Sequence, residues 1–331
     1  MRVTVIGDGA WGTTLASHLS GKGFQTTLWS AFPEYAAVMR RSRANTKFLP
    51  GIHIPEAVNI VSKDSGRLGE ADLLVSAVPA QFLRAALTAV KSQLANVPDV
   101  VSVTKGIENE TLMPPTQIIR QVLRAQRVAV LSGPSHAEEV ARGLPSTVVA
   151  ASENQGLETE VQNIFNSERF RIYTSTDPLG VELAGALKNV IAIAAGICEG
   201  LGFGDNSKAA LVTRGMVEIA RLGQRMGARW DTFAGLAGIG DLITTCFSPY
   251  GRNRAVGLAI GKGKTLTEVL AGMEQVAEGV ATTRSAVALG RKYGVEMPIT
   301  SQLHAVLFQG VSPLAAVTAL MTRQLRSEED H

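Results

Sequence analysis

The chain has little of several things, and each shortage narrows its function. Its 331 residues contain only two cysteines, Cys198 and Cys246. Two well-separated cysteines make neither a disulfide framework nor a metal site, so a reducing, cytoplasmic setting is expected and no metal is. Charge of one sign is not in excess: 32 Lys and Arg against 29 Asp and Glu leave a net charge of +3, with no basic run, which argues against a nucleic-acid partner. No low-complexity segment and no internal repeat is visible. The N-terminus, MRVTVIGDG, offers a five-residue apolar strand where a signal peptide would need a longer hydrophobic region, and no lipidation motif is present.

What the chain does have is length enough for about two domains and a 45% hydrophobic composition that supplies real cores. Short apolar runs at Arg2–Ile6, Thr26–Trp29, 71–79, 100–104, 128–133, 146–152 and 170–175 read as strands, with helical stretches at Phe82–Leu94 and Gln155–Phe165. This alternation predicts an α/β, Rossmann-type, doubly wound and mainly parallel sheet over residues 1–177. From 178 to 331 no strand pattern competes with helical segments near 178–198, 208–227, 241–247, 252–261, 265–273, 280–293 and 300–321, so an all-α C-terminal domain is expected.

After the first strand comes Gly7-Asp8-Gly9-Ala10-Trp11-Gly12, then a helical pattern closed by Gly21 and Gly23. Strand, G-x-G-x-x-G and helix in this order predict a dinucleotide site: the glycines allow the tight turn, the close approach of a pyrophosphate and tight helix–strand packing. The second strand ends in Ser30-Ala31-Phe32-Pro33, without the carboxylate that commonly binds the ribose of NAD. Nothing there repels a 2′-phosphate, so NADPH or NADH is expected as cofactor, with the balance toward NADP(H). Three further loops follow strands: Val78-Pro79-Ala80-Gln81-Phe82, Thr104-Lys105-Gly106 and Ser132-Gly133-Pro134-Ser135-His136. Phe82 reads either as a core side chain or as part of a nicotinamide pocket. Lys105 is either a solvated loop lysine or a functional cation. His136 is a candidate acid/base, but it opens a helix with Glu138 and Glu139, and a capping or structural role is the expectation.

Between Glu182 and Glu199 the chain runs LAGALKNVIAIAAGIC, whose only charge is Lys188. Asp177-Pro178 supplies an N-cap and a proline at the first helical position, and helical spacing puts Lys188 on one face with Val181, Ala184, Gly185, Ile191, Ala192 and Ala195. The uncharged pieces on either side fall short of the roughly 20 apolar residues a membrane crossing needs, so no membrane span is expected. Lys188 either snorkels to water or acts as a general acid/base or anion ligand, beside Asn189. Asp241, after Leu236-Ala237-Gly238-Ile239-Gly240, is either a helix cap or the partner of Lys188. Arg252-Asn253-Arg254, after Pro249-Tyr250-Gly251, is either an ordinary basic helix start or a phosphate site.

Taken together, GDGAWGTTLA (7–16), VPAQF (78–82), TKGIE (104–108), LSGPSHAEEV (131–140), ELAGALKNVIAIAAGICEGL (182–201), GLAGIGDLITTC (235–246), RNR (252–254) and VAEGV (276–280) closely resemble bacterial NAD(P)-dependent sn-glycerol-3-phosphate dehydrogenases. The resemblance implies reversible reduction of dihydroxyacetone phosphate to sn-glycerol 3-phosphate for phospholipid synthesis, by a cytoplasmic homodimer. It places the proton donor at Lys188, with Lys105, Asp241, Asn189 and Thr245 supporting catalysis. It puts substrate contacts at Lys105, Gly133, Ser135, Lys188, Asp241, Gly251, Arg252 and Asn253. Cofactor contacts fall at Gly7, Gly9, Ala10, Trp11, Gly12, Phe32, Phe82, Lys105, Ala137, Arg252, Val276 and Glu278. The chain departs from the family pattern at Ala10, where many relatives carry Ser or Asn, at Gly251, where a serine is common, and at Phe32, which lacks a basic or polar group. Two other readings fit parts of the chain: a two-domain β-hydroxy acid dehydrogenase, which needs no phosphate site, and a non-catalytic NADPH-binding sensor, which needs no lysine in an apolar helix.

Overall fold

The computed structural model describes residues 1–66, 68–325 and 327–328. The chain divides into two compact units, the first made of Met1–Lys105 with Met113–Val181, the second of Gly106–Leu112 with the chain from Glu182 onward. A seven-residue excursion therefore leaves the first unit directly after Lys105, and the boundary near the middle of the chain falls inside a helix.

In the first unit the elements are β1 (Arg2–Ile6), α1 (Ala10–Gly21), β2 (Gln25–Ser30), α2 (Pro33–Ser42), β3 (Asn59–Ser62), β4 (Leu73–Ser76), α3 (Ala80–Lys91), β5 (Asp99–Ser102), α4 (Pro115–Leu123), β6 (Val128–Ser132), α5 (Ala137–Ala141), β7 (Ser146–Ser152), α6 (Leu157–Phe165) and β8 (Phe170–Ser175). The eight strands form one sheet in the order β3-β2-β1-β4-β5-β6-β7-β8, parallel throughout except where β7 runs antiparallel to β6. Register is set by alternation: Val3 and Val5 of β1 face Leu15, Leu19, Met39 and Phe165 of the helices on one side, while Ile6 joins Leu83, Leu87 and Ile118 on the other. Apolar strands covered by helices on both faces are what a parallel sheet requires. The expected doubly wound sheet is present, with β3 as an additional edge strand beside β2.

The second half of the chain is helical: α7 (Pro178–Gly200), α8 (Asp205–Arg225), α9 (Trp230–Ala234), a π-helical turn (Leu236–Gly240), α10 (Asp241–Phe247), α11 (Arg252–Gly261), α12 (Leu266–Ala271), α13 (Glu278–Tyr293), α14 (Pro298–Phe308) and α15 (Pro313–Met321). The segment expected to be helical over 300–321 is two helices, because Gly310 takes φ +73° and Pro313 restarts the chain. Helix α7 starts where the sequence places it, with Asp177 Oδ1 accepting from Gly180 N at 2.9 Å. It is long and apolar enough to cross a membrane, but 94% of its most apolar 18-residue window is buried inside the protein. It is the core helix of its unit.

Helices α7 and α11 cross with their backbones almost touching. A Cβ added to Gly257 would lie 1.9 Å from the Ile193 carbonyl oxygen, and one added to Gly196 would lie 2.1 Å from the Arg254 oxygen. Only glycine fits at such a crossing. The stripe of small residues that makes α7 look like a close-packing helix thus has its counterpart one element pair away, and the crossing sets the start of α11 against the middle of α7.

Candidate active site

The first unit provides a loop shaped for a dinucleotide. Gly7 leaves β1 with φ +106° and donates its N–H to the Trp29 oxygen at 3.0 Å. A Cβ on Gly12 would lie 1.9 Å from the Gly7 oxygen, so the third glycine is what lets α1 close on the loop. The middle glycine differs: the space where a Cβ of Gly9 would stand is open to 4 Å. Gly9 is also the N-cap of α1, with no side-chain cap and no acid in the first turn. An open cradle at an uncapped helix N-terminus, starting at Ala10, fits the pyrophosphate of a dinucleotide.

Around that loop, Asn45 is fully buried and ties the backbone down, donating to the Asp8 oxygen at 2.7 Å and to Thr13 Oγ1 at 2.8 Å. The Asp8 carboxylate, also buried, accepts the Ser30 hydroxyl at 2.7 Å. Burial pushes the Asp8 carboxyl above its ordinary value, with the Ser30 hydrogen bond and the charge of Lys47 pulling the other way. Neither Asn45 nor the Asp8–Ser30 pair was anticipated from the sequence; they lie 22 to 37 residues from their partners and no local pattern announces them.

Trp11 packs edge-on against Phe170, with ring centroids 6.0 Å apart. Phe32 and Phe82 are 60% and 57% exposed, so Phe82 is not a core residue. Both follow strands at the carboxyl edge of the sheet, the side on which doubly wound sheets bind their ligands. Lys105 Nζ and Ser135 Oγ both donate to the Gly133 carbonyl oxygen, each at 2.9 Å, which gathers three predicted residues at one point. Ala137 begins α5, its oxygen accepting from Thr14 Oγ1 at 3.3 Å. His136 occupies the N-cap position of α5, but its side chain makes no capping hydrogen bond; only its carbonyl oxygen takes part, accepting from Glu139 N and Val140 N, each at 3.1 Å.

In the second unit Lys188 is 5% exposed and does not snorkel to water. Its Nζ donates to Asp241 Oδ1 at 2.6 Å and to Thr245 Oγ1 at 2.5 Å. Asp241 does not cap its own helix; it is the first residue of α10, with Gly240 at the N-cap position, and its side chain answers the lysine. Thr245 passes its own proton to the Asp241 carbonyl oxygen at 2.7 Å, which aims an oxygen lone pair at Nζ. A buried ammonium paired with one carboxylate and one hydroxyl is compensated, and an ammonium so held has a proton to give.

Next to Lys188 on α7, Asn189 Oδ1 accepts from Asn253 Nδ2 at 2.9 Å, and Asn253 Oδ1 accepts from Gly279 N at 2.9 Å. Asn253 thereby links α7, α11 and α13 and has one amide hydrogen left to offer. Arg252, the exposed first residue of α11, donates to the Val276 oxygen at 3.1 Å, bringing Arg252, Val276 and the helix headed by Glu278 together. Gly251 is the N-cap of α11, and a Cβ there would stand 2.8 Å from the Thr245 oxygen, so the serine of many relatives would require a shifted backbone. Arg254, the third residue of the basic motif, turns away to grip Glu199 through Nε at 2.9 Å and through a second, shorter contact. Cys246, next to Thr245, has its thiol pushed up to about 12 by burial and is no nucleophile. Among the described residues no group of three or more His, Cys, Asp and Glu could hold a metal ion.

A family model for the N-terminus of NAD-dependent glycerol-3-phosphate dehydrogenase matches residues 2–158, and one for the C-terminus matches residues 177–318. A relative from Salinibacter ruber named glycerol-3-phosphate dehydrogenase (NAD(P)+) 1 is 48% identical over 329 residues, covering 98% of this chain and 96% of the relative. Another, from Citrifermentans bemidjiense, is 47% identical over 330 residues, covering 99% of this chain and 98% of the relative. The crystal structure of a glycerol-3-phosphate dehydrogenase from Coxiella burnetii superposes with a TM-score of 0.91 at 35% identity, over 97% of this chain and 99% of that one.

Proposed function

This chain belongs to the NAD-dependent glycerol-3-phosphate dehydrogenase family, and on that footing we propose that Lys188 is the proton donor of its reaction and Arg252 and Asn253 its phosphate ligands. The protein is an NAD(P)-dependent oxidoreductase that interconverts dihydroxyacetone phosphate and sn-glycerol 3-phosphate, a step that feeds phospholipid synthesis. Bound reduced nicotinamide supplies the hydride that turns the C2 ketone into a secondary alcohol.

Gly7, Gly9, Ala10, Trp11 and Gly12 would hold the dinucleotide in the first unit, with Phe32, Phe82, Lys105 and Ala137 as further contacts. Arg252, Val276 and Glu278 are assigned to the cofactor from the second. Lys188 gives its proton to the oxygen on which charge develops, and Asp241 and Thr245 keep Nζ aimed and charged until it does. Lys105, fixed on the Gly133 oxygen beside Ser135, is assigned to the substrate as a further positive charge. Arg252 brings a guanidinium, Asn253 an amide hydrogen and the N-terminus of α11 its unpaired N–H groups, a donor set suited to a phosphate dianion. Phosphate binding remote from the reacting carbon is turned into orientation of the ketone. The cytoplasm and a homodimeric state belong to the same proposal.

The observation that carries the assignment is the buried Lys188–Asp241 pair at 2.6 Å, on a helix whose neighbours are otherwise small and apolar. The test is the fall in near-ultraviolet absorbance when dihydroxyacetone phosphate is added to the protein with NADH or NADPH. Turnover supports the reading. No turnover with this ketone, together with turnover of a β-hydroxy acid, would replace it.

A further inference from the structure

The end of β2 carries no carboxylate of its own, yet a carboxylate is there. Asp8 stands between the first two glycines of the dinucleotide loop, and its Oδ2 accepts the hydroxyl proton of Ser30, the last residue of β2, at 2.7 Å. Ser30 Oγ in turn receives the Phe32 N–H at 3.0 Å, so the hydroxyl joins the loop after β1 to the turn after β2. The backbone of Asp8 is held as firmly, its oxygen accepting from Asn45 Nδ2 at 2.7 Å. In a doubly wound sheet this corner, at the carboxyl ends of the first two strands, takes the adenosine ribose, and an acid at the end of the second strand selects NAD by bonding the 2′-hydroxyl and repelling a 2′-phosphate.

We propose that Asp8 is the residue that sets cofactor choice, standing in from the glycine loop for the acid missing at the end of β2 and disfavouring the 2′-phosphate of NADPH. The inference rests on the dehydrogenase reading above and reverses the preference that the bare end of β2 implies. It assigns Asp8 a role in discrimination and none in the chemistry. Its carboxylate is hydrogen-bonded to a serine hydroxyl, with the positive charge of Lys47 as a weaker influence, so a second anion brought to this corner meets a carboxylate that no ion pair neutralises among the described residues. Asp8→Asn keeps an oxygen to accept the Ser30 proton and removes only the charge, which makes it the variant of choice.

The experiment measures the dissociation constants of NADH and NADPH for the full-length protein by cofactor fluorescence, without substrate, for wild type, Asp8→Asn and Asp8→Ala. The ratio of kcat/KM for the two cofactors is taken alongside. Wild type is expected to bind NADH at least ten-fold more tightly than NADPH, and Asp8→Asn to narrow that gap ten-fold or more, chiefly by gaining NADPH affinity. A wild-type protein that prefers NADPH overturns the inference even if neither variant folds. So does a folded variant whose ratio stays within two-fold of wild type while both cofactors still bind and turn over, an outcome that leaves the dehydrogenase reading standing. Failure of wild type to bind either cofactor would overturn that reading, and this inference with it.

Discussion

Lys188 is the residue to which we assign the proton transfer, and its neighbours make its removal costly in two separable ways. Losing a general acid typically slows a reaction about 10²- to 10⁴-fold, so Lys188→Ala is expected to lower kcat by at least 100-fold while NADH or NADPH still binds. The same change leaves Asp241, 1% exposed, without its cation, and breaking a buried pair from one side costs about 3–5 kcal/mol. Adding Asp241→Asn to Lys188→Ala should therefore restore thermal stability without restoring turnover. Melting curves and single-turnover assays on the two variants check this; a single variant that keeps a tenth of the wild-type rate would remove Lys188 from its role. The lysine itself was legible in the sequence as the lone charge in an apolar helix. Its partners were candidates only, because whether Asp241 capped α10 or faced Lys188 depends on the π-helical turn at Leu236–Gly240 that precedes it. Asn45 and the Asp8–Ser30 bond were illegible, since their meaning lies wholly in long-range contacts.

Among the elements, the crossing of α7 and α11 and the tie between α8 and α14 each carry a prediction. Gly257→Ala places a methyl group where the Ile193 oxygen already lies within 1.9 Å, so the helices must part. Overpacking of this kind costs about 1–3 kcal/mol or more. The parting also draws Asn253 from Asn189, so a lower melting temperature should come with a raised KM for the phosphorylated ketone. Glu218 of α8 is 3% exposed and binds the start of α14, accepting from Ile299 N at 2.8 Å and from Thr300 N at 2.9 Å. Burial raises its carboxyl above the ordinary value, against the pull of the Thr300 hydroxyl and the two N–H groups. With the folded value above the unfolded one, the folded state holds the proton more tightly, and the stability this confers is present at low pH and lost as pH rises through the raised value. Glu218→Gln has no such proton to lose. The melting temperature of wild type minus that of Glu218→Gln should thus fall as pH rises from the ordinary glutamate range, about pH 4, through the raised value; a difference that rises with pH would overturn this. Most strands were legible because alternation or an apolar run marks them. The edge strand β3, four residues reading NIVS with polar ends, gives no such signal, and α4 was hidden behind Pro114-Pro115, a pair that reads as a break although Pro115 is a good first helical residue.

Across the molecule the division of labour follows the division of the chain. One unit, built on a mainly parallel sheet, holds the glycine loop; the other, built on α7, holds the buried lysine and the arginine at the head of α11. The order of motifs makes this organisation readable in the sequence, whereas the excursion of Gly106–Leu112 into the second unit has no signature in composition or periodicity. One of its anchors there is Ser285, whose hydroxyl lies 3.2 Å from the Ile107 oxygen, a contact spanning 178 positions. The protein reduces a phosphorylated ketone, and we assign recognition of the phosphate to Arg252. The most direct measurement compares kcat/KM for dihydroxyacetone phosphate and for dihydroxyacetone in wild type and in Arg252→Ala. A charge-assisted bond to phosphate is worth about 1.5–3 kcal/mol, so the variant should lose about ten-fold or more on the phosphorylated ketone and much less on the phosphate-free one. Equal losses on both ketones, or a wild-type enzyme indifferent to the phosphate, would contradict it.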